Sequence, residues 1–288
     1  MLYRRRATPL HVVRAAVGCA WCGALGLAAL VCGDPIVLGA VCATVLAGGA
    51  LAGCGRQLRR ALRYGLPVAL AVMVINALVT REGLTIIWRF GELPVLGQTD
   101  VTLEATVYGA VLGLRAVTLI LCGVLYTVAV DPDQVLRLLR RVSFHSALSA
   151  TLATRLVPVL ARDAGRLADA QRCRPGPAPS RVALLRAASS GVLDRALDVA
   201  AALEVRGYAG AQRPARGRRA PHSRQDLGFA AAAAAVATCA VGGRIVGWAG
   251  VSAYPRLHVP AGPGVWALAA AMIVAALAPF SLRRGVGG

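Results

Sequence analysis

Long apolar runs constrain this chain more than any other feature. A bilayer core about 30 Å thick takes about 20 consecutive apolar residues to cross as a helix, and the chain offers about six such stretches. The first extends from about Val12 to Cys32; Asp34-Pro35 breaks it before a second, from about Ile36 to Cys54, so these two form a tight hairpin. After Arg56, Arg59, Arg60 and Arg63 comes a third stretch, from about Tyr64 to Thr80. A mixed-charge loop from Arg81 to Leu103 then leads to a fourth, from Glu104 to Val130. The last pair covers about Leu227 to Trp248, built on an alanine run and limited by Arg244, and about Gly264 to Leu282. The first stretch is too long for a signal peptide and runs directly into the second.

With 57% hydrophobic and 16% charged residues and a mean hydropathy of +0.62, the 288 residues are too apolar for an ordinary soluble domain. The expected fold is all-α: a polytopic membrane helical bundle of about six transmembrane helices, with long amphipathic helices in the cytosol. Residues 1–130 form an N-terminal transmembrane region, 131–225 a cytosolic module, and 226–288 a C-terminal transmembrane pair.

All 32 basic residues are arginine, and the net charge is +19. Nucleic acid is excluded as the partner, because aromatic-studded basic platforms are missing and the arginines gather between apolar stretches. They gather on one side. Arg4, Arg5, Arg6 and Arg14, the Arg56 to Arg63 cluster, the segment from Asp131 to Gln225, and Arg283-Arg284 all fall there, which makes that side the cytosol and puts both termini in it. The lipid bilayer of the inner or plasma membrane is thus the expected surrounding.

Eight cysteines form no disulfide framework here. Cys19, Cys22, Cys32, Cys42, Cys54, Cys122 and Cys239 lie in or beside apolar stretches, where cysteine acts as a small hydrophobe, and Cys19-Ala20-Trp21-Cys22 lacks the βαβ context of a redox motif. His11, His145, His222 and His258 are scattered, so neither a metal nor another cofactor is expected. Gly18, Cys22 and Gly26, then Gly49 and Gly53, then Gly109 and Gly113, are spaced four apart as packing faces. Arg115 and Asn76 are the strongly polar side chains inside the apolar stretches. They admit two readings: a substrate or ion pathway, or a structural interhelical bond, from Arg115 to Asn76 or to freed carbonyls.

The central segment reads as a series of helices. Asp131 caps a short one with Pro132 in its first turn. From His145 to Arg174, Leu148, Leu152, Leu156, Val159, Leu160 and Leu167 oppose Arg155, Arg162, Arg166, Asp169 and Arg172, an amphipathic helix that Pro158 should bend. Pro175-Gly176-Pro177 stops it. Ser180 caps the next helix, whose stripe is Val182, Leu185, Val192, Leu193, Leu197, Ala200 and Leu203, and Gly207 ends it as a left-handed cap. Both long helices thus finish on an arginine before a helix breaker: Cys173-Arg174-Pro175 and Val205-Arg206-Gly207.

With their flanks, QRCRP and LEVRGY resemble the paired Ala-Arg-Gly signatures of the transmembrane T component of energy-coupling factor transporters, the cobalt and biotin permease type. TDVTLEATVYGAVLGLRAVTLI and TVAVDPDQVLRLLRRV look like that family's fourth span and first coupling helix, and TRLVPVLARDAGRLADAQR like its second. Cys173 and Val205 stand where the signature has alanine, and Pro175 where it has glycine; the arginines are kept. The resemblance implies a non-catalytic scaffold. Two cytosolic ABC-type ATPases would bind the tips through Arg174 and Arg206, with Cys173, Val205 and Gly207 in the contact and Glu204 as support. A small membrane subunit that captures a vitamin or metal ion would sit on the apolar face formed by Leu148, Leu152, Leu156, Leu185, Val192 and Leu193. Two other classes stay open: a conventional ABC permease subunit, coupled through one short loop, and an integral membrane enzyme, for which the apolar stretches offer no acid, base or nucleophile constellation.

Overall fold

Asp34 and Pro35 turn the first apolar run back on itself. α1 (Pro9–Val12) and α2 (Ala15–Val31) precede the turn and α3 (Pro35–Leu51) follows it. The Asp34 side chain accepts from the N–H groups of Ile36 at 2.8 Å and Val37 at 3.4 Å, while Pro35 stands in the first turn, where no N–H is needed. The computed structural model of the chain describes residues 8–80, 86–93, 97–139, 144–173, 181–207, 223–248 and 262–281.

Next comes α4 (Gly55–Val79), which contains the expected apolar stretch from about Tyr64 and extends back through the Arg56 to Arg63 cluster, since arginine is a good helix former. The expected loop between Arg81 and Leu103 contains a hairpin instead. β1 (Ile86–Leu93) pairs antiparallel with β2 (Gly97–Thr102), Trp88 opposite Val101 and Arg89 opposite Asp100. Isoleucine, tryptophan and phenylalanine in β1 favour the pleated conformation, a signal that a charge-based reading passes over. Thr102 closes β2 and caps α5 (Leu103–Ala129), its hydroxyl accepting from the Ala105 N–H at 3.3 Å. Then follow α6 (Pro132–Leu139), α7 (Phe144–Arg172), α8 (Arg181–Val205), α9 (Arg224–Ile245) and α10 (Pro263–Ser281).

Four helices, α4, α5, α9 and α10, are long and apolar enough to cross a membrane. α2 and α3 have 17 residues each, about 26 Å at 1.5 Å per residue, the short end of the spanning range. The fold is a helical membrane bundle with one small hairpin. The chain separates into two compact units: Met1–Pro132 with Pro221–Gly288, and Asp133–Ala220.

In the first unit α2 packs on α5 and α9, α3 on α10 and α5, and α4 chiefly along α5. Near the start of α9 and the end of α10, Trp21, Phe229 and Phe280 meet edge to face, with ring centroids 5.1 to 5.8 Å apart. Gly48 makes room for them: a Cβ there would stand 2.9 Å from the Trp21 ring. Of the small residues four apart, Gly109 and Gly113 do bring backbones together, since a Cβ on them would lie 2.9 Å from the Met73 carbonyl and 2.8 Å from that of Ala69. Gly49 accommodates Leu58, and Gly18 faces Val130. Gly26 and Gly53 depart from the expectation. A Cβ at Gly26 would meet nothing within 4 Å, and Gly53, at φ +73°, ends α3 as a left-handed residue.

Two long-range ties set the register. At one end of the bundle Asp226, in the first turn of α9, accepts from the backbone N–H of Arg14 at 3.0 Å and pairs with its guanidinium at 3.5 Å. At the other, Arg115 of α5 donates to the Cys32 carbonyl, just past α2, at 3.1 Å. Arg14 to Cys32 and Asp226 to Arg244 are therefore equal lengths of parallel helix, about 27 Å each. α5 continues about 18 Å beyond Arg115 to its first residue, with α4 beside it. All eight cysteines are free thiols, and of these Cys173 is exposed while the others are buried or half-buried.

In the second unit, the Arg195 guanidinium of α8 pairs with the Asp163 carboxylate of α7. Pro158 lies inside α7 without interrupting it.

Candidate functional site

The two arginine-tipped helix ends belong to the second unit, and their geometry starts from the Asp163–Arg195 pair. Cys173 lies ten residues past Asp163 and Arg206 eleven past Arg195, so each tip stands about 15 Å or slightly more beyond the pair along its own helix. Asp163 follows Leu156 by two turns and Leu152 by three, which puts the carboxylate on the apolar side of α7. The hydrogen bond from Arg195 holds the Asp163 carboxyl below the ordinary carboxylate range, with the Arg195, Arg166 and Arg162 charges adding to it. The pair therefore persists at neutral pH and is lost only as pH falls through that lowered value.

The α8 tip is open to solvent. Gly207 takes φ +72°, and its N–H donates to the Glu204 carbonyl at 2.8 Å, while the Arg206 N–H donates to that of Ala202 at 3.3 Å. Val205 is 89% exposed, and Arg206, Gly207 and Glu204 are exposed with it. Among the described residues Arg206 forms no ion pair, and none joins it to Glu204. Arg206 thus stands on an exposed, glycine-terminated helix end with no ion-pair partner among the described residues. At the α7 tip Cys173 is exposed, its N–H donating to the Asp169 carbonyl at 3.2 Å; Arg174 and Ser180, the expected cap of α8, lie outside the described residues.

The apolar stripes differ between the helices. On α7, Leu152, Leu156, Val159, Leu160 and Leu167 are half-buried, on a helix whose Asp163 pairs with Arg195 of α8. On α8, Val182, Leu193 and Leu197 are each 65% exposed, and Val192, closer in angle to Arg195, is 39% exposed. The α8 stripe is turned away from α7 and offers its apolar surface outward. Leu148 and Leu185 fall in α7 and α8, their side chains outside the described residues.

Arg115 and Asn76 do not meet. The Asn76 side-chain oxygen accepts from the Thr80 hydroxyl of its own helix at 3.1 Å, and Arg115 takes the freed carbonyl of Cys32. Arg115 accordingly stands level with the end of α2. Sequence reasoning missed Asp226, although Ser223-Arg224-Gln225-Asp226 before an apolar run carries the capping-box pattern that the structure shows.

No curated protein matches the chain. The sequence pattern of the cobalt transport protein family CbiQ matches residues 6–215, which include α1 to α8, the hairpin and both arginine tips. The matched region covers most of the chain, and this helical membrane bundle belongs to the cobalt transport protein family.

Proposed function

We propose that this chain is the energy-coupling transmembrane component of an ATP-driven importer for a metal ion or vitamin. Two cytosolic ABC-type ATPases dock on the ends of α7 and α8 through Arg174 and Arg206, with Cys173, Val205, Gly207 and Glu204 around them. A small membrane capture subunit lies on the apolar faces of the same helices, chiefly Val192 and Leu193 of α8, with Leu148, Leu152, Leu156 and Leu185. ATP hydrolysis belongs to the partners; the chain transmits their movement. Both termini and the segment from Asp131 to Gln225 are cytosolic, the side on which the arginines gather.

The observation that carries this reading is the α8 end, where an exposed arginine without an ion pair projects from a helix whose apolar stripe is also uncovered. A guanidinium donates in a planar fork to carboxylates or carbonyls, and removing one that docks in a desolvated groove costs about 2 to 5 kcal/mol. In the full complex, Arg174→Ala and Arg206→Ala should each leave membrane insertion and the capture subunit in place, weaken ATPase co-purification and remove most uptake. The double variant should lose both ATPases. Lysine at either position should restore uptake only partly, because it lacks the fork. Wild-type transport with both ATPases retained in the double alanine variant would end the proposal.

A further inference from the structure

Arg115 and Arg244 come together at the end of the membrane unit where α2 and α9 finish. With Leu30, Val31, Tyr108 and Leu112 they line a recess of about 230 Å³, far more than the roughly 30 Å³ share of one water. Neither guanidinium forms an ion pair among the described residues. One donor of Arg115 is taken by the Cys32 carbonyl, while its Nε is buried without a partner. Asp34, a carboxylate at this end, is fully buried: its Oδ1 caps α3, its Oδ2 has no hydrogen-bond partner, and among the described residues it forms no ion pair with either arginine. The C-terminal ends of α2 and α9 favour nearby cations, but that partial charge does not occupy the remaining N–H donors. Two guanidiniums at one recess call for an anion between them.

The walls say which kind. Apart from Tyr108, the side chains named with the arginines are aliphatic, and Leu30, on α2, is 58% exposed. Next to Arg244, Ile245 is 80% exposed; Trp248 and Trp266, at 45% and 59%, are at the facing ends of α9 and α10. Tryptophans in such places mark the headgroup level of a bilayer. A recess with a cationic floor and an aliphatic rim suits an anionic amphiphile better than a free ion. We infer that it holds the phosphate of an anionic membrane phospholipid, the guanidiniums of Arg115 and Arg244 on the phosphate oxygens and an acyl chain along Leu30 and Leu112.

The full chain, reconstituted in mixed phosphatidylcholine and phosphatidylglycerol vesicles and re-extracted, should retain phosphatidylglycerol in native mass spectrometry. Arg244→Gln should lower that retention about fivefold, the effect expected of one arginine at a membrane surface. Arg172→Gln, an exposed arginine of the second unit, should leave it unchanged. Arg115→Gln should lower retention too, with thermal unfolding followed in parallel because it also breaks the Cys32 tie. Inorganic phosphate added at extraction should not displace the lipid; displacement would mean a small-anion site and overturn the lipid assignment. Equal retention by wild type and Arg244→Gln would overturn the site itself.

Discussion

Single residues do more than one task where helix ends meet. Asp226 is only 5% exposed in its side chain, yet it accepts from the Ser223 N–H, the Arg14 N–H and the Arg14 guanidinium, so one carboxylate caps α9 and ties it to the start of α2. Substituting alanine strands these donors and removes the capping box. Since Arg14 is 34% exposed in its side chain, water recovers part of the loss. Asp226→Ala should therefore lower stability by about 1 to 3 kcal/mol, read from unfolding in detergent, while Asp226→Asn loses less. An unchanged unfolding midpoint in the alanine variant would show that the tie contributes nothing. The same double use holds at Arg115, whose role as a helix-end donor follows from where α2 stops.

Among elements, the α4–α5 pair rests on glycines. Gly113 stands against the Ala69 backbone, where an added Cβ would meet the carbonyl oxygen at 2.8 Å, and backbone cannot yield as a flexible side chain does. Gly113→Leu should separate the helices and destabilise the protein by at least about 1 to 3 kcal/mol, the usual cost of overpacking, or prevent accumulation in the membrane. The same substitution at Gly26, where a Cβ meets nothing within 4 Å, should be tolerated. Comparable destabilisation at both sites would contradict the packing. The spacing of four drew attention to both glycines equally, since periodicity marks a face without saying what covers it. The hairpin of β1 and β2 was hidden for a similar reason: alternating charge and apolar residues reads as loop until a partner strand is supplied.

For the whole molecule, sidedness is the property that function depends on. On the proposed orientation Cys173 is the exposed cytosolic thiol and the other seven are buried or half-buried in the membrane unit. A membrane-impermeant maleimide should label the chain in inside-out vesicles and leave it unlabelled in intact cells, with Cys173→Ser removing the label. Strong labelling of Cys173 in intact cells would reverse the orientation and take the ATPase contacts with it.

The sequence by itself determined the class and most helix limits: the apolar runs, the Asp34-Pro35 turn, the start of α6 at Pro132 and the left-handed end at Gly207. These depend on hydropathy, caps and backbone preferences within a few residues of one another, so a local reading suffices. The partner of Arg115 lies 83 residues away, that of Asp226 212 away, and that of Arg195 32 away. Which carbonyl, N–H or carboxylate each meets depends on the axial shift and rotation of one helix against another. The apolar stripes of α7 and α8 looked alike in sequence for the same reason. Only the tertiary structure decided that the α7 stripe, carrying Asp163, turns toward its neighbour while Val182, Leu193 and Leu197 of α8 stay uncovered.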